Sequence, residues 1–248
     1  MAAGAGDHES GPGDTTTRRV RDRRRRRPDG APRRRRHQIH GKGNGAPQVS
    51  RTAAVTRKTN ETDVTISLDL DGSGVTSAST GVGFFDHLLT ALGHHGLFDL
   101  MIETTGDLHI DEHHTVEDTA LAMGAAFADA LGDRAGLVRY GDTRIAMDEA
   151  IGSCTIDIGG RAYSVIDLCF VGERIGEMST QMIPHAIESF ARTAGFTLHL
   201  SATGRNDHHI AEAAIKALAR ALRSAVEVDP RRIGVASTKG TLTTDGAG

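Results

Sequence analysis

The chain has 248 residues, 38% of them hydrophobic, so it can hold one large domain or two small ones. No apolar run approaches the roughly 18 residues that span a membrane, and a chain with no Trp and 2 Tyr does not carry an aromatic-rich binding surface. The formal net charge of −3 averages two unlike regions, because residues 1–50 carry 13 Lys and Arg against 5 Asp and Glu, whereas the remaining residues carry 16 against 27.

Residues 1–50 are predicted to be a disordered, Arg-rich N-terminal tail. They contain few large apolar residues and many Gly, Pro and Arg, so they cannot bury a core. No apolar segment follows the arginines, which argues against a secretory signal. An Arg-rich run can bind nucleic-acid phosphates, but no aromatic stacking residue is interleaved in this one. A solvated tail, or a start codon assigned upstream of the true one, is the favoured interpretation, and a nucleic-acid or targeting role is the alternative.

From Arg51 onward the sequence is typical of a folded domain. Alternating residues at 63–72 predict a strand, and the segment FFDHLLTALGHHG predicts a helix that ends at Gly96. A strand at 97–106 follows, and then a helix that begins at a pair of histidines. Apolar residues in that helix recur at helical spacing, at Val116, Ala120, Met123 and Phe127.

The second half of the domain has the same coarse layout. A strand is predicted at 163–172, a helix ending at Gly195 comes next, and a strand at 196–204 leads to another double histidine. Apolar residues again recur at helical spacing in the last helix, at Ile210, Ala214, Ala217 and Ala221. Asp111 and Asn206, each two residues before a histidine pair, are predicted N-caps.

The likeness of the halves predicts an internal repeat. His87, Phe98 and Gly106 recur 98 residues later as His185, Phe196 and Gly204, and after a three-residue deletion the motif His-His-x-x-Glu recurs 95 residues later. The sequence therefore predicts an α+β fold with a tandem repeat, about residues 51–150 and 151–242, inside one domain of residues 51–248. Each half is expected to be a mixed sheet with two helices.

The repeated His-His-x-x-Glu motif predicts a pair of metal sites. On a helix, His113 and Glu117 are four residues apart and share a face, whereas the adjacent His114 is rotated by about 100°. Adjacent histidines therefore diverge, and each is expected to serve a different ion. The reciprocal arrangement in the second copy lets each half lend its divergent histidine to the metal of the other half.

Two predicted ligand sets follow, each with three imidazoles and one carboxylate. The first set is His87, His114, His208 and Glu212, and the second is His113, Glu117, His185 and His209. Four ligands on an octahedral ion leave two positions for substrate. Mixed nitrogen and oxygen donors without thiolate suit Mn, Fe, Zn, Co or Ni, so the ligand types leave the metal open.

Basic residues near glycines predict a phosphate-binding surface. Lys and Arg are scarce outside the tail, yet Arg139 lies in RYGD, Arg161 in GGRA, and Lys216 one turn after Glu212. The segment STKG adds hydroxyl groups and an ammonium group close to a glycine, as phosphate recognition requires. These candidates are Arg139, Arg161, Lys216, Ser237, Thr238 and Lys239.

Over about residues 51–242, the sequence closely resembles the imidazoleglycerol-phosphate dehydratase family of histidine biosynthesis. The resemblance rests on long motifs in the family's order: FFDHLL, GDLHIDEHHTVED, ALGDRAGLVRYGD, MDEA, GGRA, HAIESF, GRNDHHIAEAAIKALARAL and STKG. It implies helices sandwiched between two sheets and a homo-oligomer of 24 subunits with sites at subunit interfaces.

The resemblance also implies a reaction: loss of water from imidazole glycerol phosphate to give imidazole acetol phosphate, with two Mn²⁺ ions per active site. In the family, a metal-bound imidazolate and a diazafulvene-like intermediate let the hydroxyl group leave. Glu61, in the segment TNET, is implied as the catalytic acid/base. The residues implied to bind substrate are Glu61, His87, Arg139, Arg161, Lys216, Ser237, Thr238 and Lys239.

Two other functions remain open at this point. A two-metal hydrolase such as a phosphatase would predict bridging Asp residues, whereas these ligands are mainly imidazole. A nucleic-acid-binding protein would use the tail and keep the histidine repeat as a structural metal site. Cys154 and Cys169 match no metal or redox spacing and are predicted to be buried free thiols, which fits a reducing cytoplasm and a cytoplasmic location.

Overall fold

The structure, a computed structural model, describes residues 50–242 of the chain. The predicted tail lies almost wholly outside the described residues, and its disorder stays a prediction. In this part of the chain, no helix combines the length and the apolar character needed to cross a membrane.

The first half contains four strands and two helices. In chain order they are β1 (Thr52–Lys58), β2 (Thr62–Asp69), β3 (Thr76–Ser79), α1 (Gly83–Gly96), β4 (Asp99–Gly106) and α2 (His113–Leu131). The sheet has the order β1-β2-β4-β3, and only the β3–β4 pair is parallel. Strand β2 forms because every second residue is apolar, which buries Val64, Ile66 and Leu68 on one face.

The second half repeats this topology with one addition. Its elements are β5 (Tyr140–Met147), β6 (Ala150–Asp157), β7 (Tyr163–Leu168), β8 (Arg174–Ile175), β9 (Met178–Ser179), α3 (Met182–Ala194), β10 (Thr197–Thr203) and α4 (Asp207–Ala225). The sheet order β5-β6-β10-β7, with β7–β10 as its parallel pair, matches the first sheet. The short β8–β9 pair has no counterpart between β3 and α1.

The topology corrects one prediction about the repeat. The predicted strands at 63–72 and 163–172 both exist, as β2 and β7, but they do not occupy the same place in the two sheets. The counterpart of β2 is β6, and the counterpart of β7 is β3. The insertion that carries β8 and β9 lies between the sheet strands and the helix of the second half, so the 98-residue offset found from His87 onward does not apply to the strands before it.

The helices lie between the two sheets, as the resemblance implied. Helix α2 packs on β1 and β2, helix α4 packs on β5 and β6, and the helices pack together as the pairs α1–α4 and α2–α3. The apolar residues predicted at helical spacing, such as Val116 and Phe127, are buried in this interior. Each helix pair joins one half to the other, so the core is shared.

The ends of the helices follow the predicted signals. The Asp111 carboxylate accepts a hydrogen bond from the backbone N–H of His113 at 2.9 Å, and the Asn206 side-chain oxygen accepts one from His208 at 2.9 Å. Helix α3 ends before Gly195, whose φ of 70° is the left-handed conformation that glycine adopts without strain. Both double histidines therefore begin at a fixed helix end.

The two cysteines are free thiols, but only one is buried. Cys154 lies in the core of the second sheet, and burial raises the pKa of its thiol to about 12. Cys169 is exposed, so the prediction that it is buried was wrong. It lies just after β7, where the chain leaves the sheet.

The α2–α3 crossing depends on Gly124. A Cβ at this position would lie 2.6 Å from the backbone oxygen of Phe190, which cannot move without displacing α3. We expect Gly124→Ala to lower the free energy of unfolding by about 1–3 kcal/mol. The added methyl group meets a backbone atom, which cannot move aside as the end of a flexible side chain can. Thermal or urea unfolding measures this change.

Gly83→Ala is the matched control. Gly83 begins α1, and a Cβ there would meet nothing within 4 Å. This variant should be neutral or more stable by up to about 1 kcal/mol, from helix propensity. Equal stability for the two variants would contradict the close crossing.

Candidate active site

The structure gathers six of the eight predicted metal ligands into two clusters of three. The first cluster, called trio A, is His87, His208 and Glu212, and the second, called trio B, is His113, Glu117 and His185. Trio A joins α1 of the first half to α4 of the second, and trio B joins α3 of the second half to α2 of the first. Each trio therefore needs both halves and the helix pairs that connect them.

In trio A, a carboxylate oxygen faces two imidazoles. The Oε1 atom of Glu212 lies 2.9 Å from Nε2 of His87 and 2.9 Å from Nε2 of His208. Its other oxygen forms an ion pair with the ammonium group of Lys216, which also lies 3.0 Å from the sulfur of Met147. The ring of Phe84 lies 5.0 Å from the His208 ring, centroid to centroid, and forms an aromatic wall.

The charge of Glu212 is retained although its side chain is buried. Burial raises the pKa of this carboxyl, but hydrogen bonds from Lys216, His87 and His208 outweigh burial and lower the pKa to about 2. Glu212 is therefore ionised throughout the physiological range. It presents an anionic oxygen between two imidazole nitrogens.

Trio B has the same composition in a more open form. The Nε2 atom of His185 lies 3.5 Å from Oε1 of Glu117, and Nε2 of His113 lies 3.9 Å from Oε2 of the same carboxylate. The two imidazole rings are 4.9 Å apart, centroid to centroid. The buried Nε2 of His185 has no hydrogen-bond partner among the described residues, although buried polar atoms rarely lack one.

Both trios fit a divalent transition metal. Neighbouring ligands of an octahedral ion, at about 2.1 Å from it, are about 3.0 Å apart, and the ligand atoms of each trio lie within 4.8 Å of one another. The unsatisfied nitrogen of His185 fits a lone pair directed at a cation. Imidazole and carboxylate donors without thiolate favour Mn, Fe, Zn, Co or Ni over Ca or Mg.

The two divergent histidines, His114 and His209, belong to neither trio of their own chain. Nδ1 of His114 lies 3.0 Å from Oδ2 of Asp107, and Nδ1 of His209 lies 2.9 Å from Oε2 of Glu149. One chain thus brings together three ligands of each predicted four-ligand set. The fourth ligand of each set stays a prediction.

The predicted catalytic residue Glu61 lies beside one of these histidines. It is exposed in the turn between β1 and β2, and its Oε2 is 3.8 Å from Nδ1 of His114. This distance is too long for a hydrogen bond. Glu61 therefore remains free to contact another group.

Five of the predicted phosphate contacts line one cleft of about 270 Å³. They are Arg139, Arg161, Ser237, Thr238 and Lys239. The guanidinium group of Arg139 is fixed there by the Asp157 carboxylate, with Nε–Oδ1 at 2.6 Å and Nη2–Oδ2 at 2.8 Å. The hydrogen bond to Asp157 also raises the pKa of Arg139. Arg139 is already paired with a carboxylate, so Arg161 and Lys239, beside two hydroxyl groups, are the side chains that give this cleft a chemistry suited to an anion.

Lys216, the sixth predicted phosphate contact, does not line this cleft. It lies at trio A, paired with Glu212. Among the described residues, the cleft lining contains no member of either trio. Within one chain, the cleft and the two trios are therefore separate places.

The comparisons with known proteins agree with this geometry. The sequence model named "Imidazoleglycerol-phosphate dehydratase" matches residues 80–222. A Methanococcoides burtonii protein of that name is 50% identical over 192 residues, which are 77% of this chain and 100% of the relative. The chain belongs to the imidazoleglycerol-phosphate dehydratase family.

Other relatives and solved structures give the same result. A Gluconacetobacter diazotrophicus imidazoleglycerol-phosphate dehydratase is 53% identical over 196 residues, or 78% of this chain and 99% of the relative. The crystal structure of the Staphylococcus aureus enzyme matches with a TM-score of 0.65 at 31% identity, covering 72% of this chain and 99% of that one. The crystal structure of the Pyrococcus furiosus protein matches with a TM-score of 0.66 at 30% identity, covering 76% of this chain and 100% of that one. As a member of the family, the chain is a lyase of histidine biosynthesis.

Sequence reasoning missed two carboxylates of this dehydratase site, Asp107 and Glu149. The hydrogen bond with His114 lowers the pKa of Asp107, and the hydrogen bond with His209 lowers the pKa of Glu149 to about 2. In return, each carboxylate raises the pKa of its histidine. Both acids lie inside the quoted motifs GDLHIDEHHTVED and MDEA. Because they do not align in the repeat, the internal alignment did not reveal them.

Removing the trio A carboxylate should abolish part of the stabilisation by metal. We expect Mn²⁺ at about 100 times its dissociation constant to raise the free energy of unfolding by about 2.7 kcal/mol per site. Glu212→Gln loses the anionic donor of trio A and should lose the contribution of that site. Thermal unfolding with Mn²⁺ and with a chelator measures the difference.

Glu103→Gln, on the exposed face of β4, is the control for this loss and should keep the full metal-dependent shift. The comparison uses the difference between metal and chelator for each variant, so a general change in stability cancels. An unchanged shift in Glu212→Gln would contradict metal binding by trio A.

Proposed function

We propose that the chain removes water from imidazole glycerol phosphate to form imidazole acetol phosphate, with two Mn²⁺ ions per active site. The observation that carries this proposal is the pair of equivalent His-His-Glu trios in a chain of this family. A substrate with an imidazole ring and a phosphate group needs two unlike subsites. The trios suit the ring and the cationic cleft suits the phosphate.

The proposed metal ligands are the two trios, completed by His114 for trio A and His209 for trio B. The same donors suit other divalent transition metals. When bound, the ions supply Lewis acidity and a template that orients the imidazole ring. The chain's own contribution is to hold the ligand atoms on two pairs of packed helices.

We propose further that complete sites form between chains of a homo-oligomer, of 24 subunits if the family pattern holds. Two features support assembly: the divergent histidines lie outside the trios of their own chain, and the anion cleft lies apart from both trios.

Glu61 is the proposed acid/base that moves the carbon-bound proton of the substrate. Its exposed carboxylate lies near a proposed metal ligand, His114, without being bound to it. A group that transfers protons must be free to approach the substrate. Asp107, rather than Glu61, occupies the hydrogen-bonding position on the imidazole.

The assay that tests the proposal is turnover of imidazole glycerol phosphate by the Mn²⁺-loaded protein. The keto product should appear, and a chelator should abolish its formation. A folded, Mn²⁺-loaded protein that does not turn over imidazole glycerol phosphate would refute the proposal.

His114→Ala should lose activity and bind less metal per chain, because one proposed four-ligand set loses a member. His199→Ala is the control, since His199 is exposed on β10 outside both trios. Full activity of the His114 variant would remove this residue from the site.

The cationic cleft gives a separate prediction. Replacing Arg161 or Lys239 by Gln should raise KM for the substrate about 10- to 100-fold, because a hydrogen bond to a charged group contributes about 1.5–3 kcal/mol. Steady-state kinetics measures the change. Arg144→Gln, exposed on β5 away from the cleft lining, should leave KM unchanged. Equal KM values for all three variants would exclude the cleft as the phosphate subsite.

A further inference from the structure

The two divergent histidines have different carboxylate surroundings, although they occupy equivalent places in the repeat. His114 follows β4 and His209 follows β10, each as the second histidine of its pair. In the first half the carboxylate at hydrogen-bonding distance is Asp107, directly after β4. In the second half it is Glu149, in the turn between β5 and β6.

The repeat makes this difference informative. Strands β5 and β6 are the counterparts of β1 and β2, so the turn that holds Glu149 corresponds to the turn that holds Glu61. The position that corresponds to Asp107 is Arg205, because Gly106 aligns with Gly204. The second half thus has no acid at the position that corresponds to Asp107, and the acid from its hairpin turn contacts the histidine.

Each contact also fixes the position of the imidazole proton. A carboxylate only accepts hydrogen bonds, so an imidazole Nδ1 that is bonded to it must carry the hydrogen. The Nε2 atom of a neutral ring then keeps its lone pair. A metal-binding histidine is commonly oriented in this way by a carboxylate on its other nitrogen.

We propose that Asp107 and Glu149 are positioning residues that hold His114 and His209 as Nδ1–H tautomers with Nε2 directed at metal. In the first half, Asp107 performs this role and leaves the hairpin acid Glu61 unbound at 3.8 Å. In the second half, the hairpin acid performs the role itself. The inference rests on the proposed metal sites. It also explains why Glu61 can act as the proposed acid/base, because Asp107 already occupies Nδ1 of His114.

Glu149 is well suited to a test because its two oxygens have separate partners. Oε1 accepts hydrogen bonds from the backbone N–H groups of Arg205 at 3.1 Å and Asn206 at 2.9 Å, and Oε2 faces His209. In Glu149→Gln, the amide oxygen keeps the two backbone donors and the amide nitrogen faces the ring. An amide N–H donates, so it favours the tautomer in which Nε2 carries the hydrogen and cannot bind metal.

The experiment is a double-mutant cycle on the full-length protein, with Mn²⁺ affinity read from the free-ion EPR signal. Glu149→Gln should weaken one of the two Mn²⁺ sites per chain by about 10- to 100-fold and leave the other unchanged. In a His209→Ala background, the same substitution should change affinity by less than about twofold, because its effect passes through His209. Asp142→Asn, on the exposed side of β5, is the control and should keep both affinities.

Asp107→Ala with His114→Ala is the second cycle, and it tests the other Mn²⁺ site if Glu149→Gln fails to fold. An equal loss of affinity with and without the histidine would mean a general structural effect and would overturn the inference, as would unchanged affinity in both single variants. Wild-type turnover on the same preparation separates this outcome from failure of the proposed function. If the wild type turns over substrate and binds two Mn²⁺ ions but the variants keep its Mn²⁺ affinity, the positioning role alone is refuted. If the wild type does not bind Mn²⁺, both the positioning role and the proposed function are refuted.

Discussion

The contact between helices of opposite halves is the constraint on which the rest of the structure depends. Helices α1 and α4 bring His87 to Glu212, and helices α2 and α3 bring His185 to Glu117. These distances are set by packing, since a Cβ at Gly124 would already overlap the backbone of α3. The two sheets cover this helical layer from both sides and exclude water from its apolar interior. The side chains of both trios are therefore positioned by packed helices rather than by loops.

The buried carboxylate of trio A shows that such a core must compensate the free-energy cost of burying a charge. A charge removed from water is costly unless it is paired and hydrogen-bonded. Glu212 has an ammonium partner in Lys216 and two imidazole partners, so its pKa is lowered in spite of burial. Trio B is less enclosed, and its buried His185 nitrogen lacks a protein partner among the described residues. The two trios have the same composition but different electrostatic surroundings.

Local signals in the sequence predicted the helices and the residues that the structure gathers into the two trios. The spacing of Val116 and Phe127, the glycine at the end of each first helix and the caps before each double histidine all depend on residues near in sequence, and the structure agrees with them. Strands β1, β3, β5 and β6 and the short β8–β9 pair were not predicted, because their polar or small residues give little alternation and pairing with other strands stabilises them. The same limit applied to Asp107 and Glu149, whose roles depend on which imidazole each carboxylate meets. Sequence spacing placed Lys216 correctly beside Glu212 but grouped it with a cleft whose lining does not include it.

The packing of the helices of one half against those of the other bears on the origin of the fold. Because each trio takes one histidine from one half and a His–Glu pair from the other, a single repeat cannot build either trio alone. Two identical half-length chains, paired in the same way, would build both trios at once and make them equal. In one chain the two halves need not stay equal, so the carboxylate that meets the second histidine can be Asp107 on one side and Glu149 on the other.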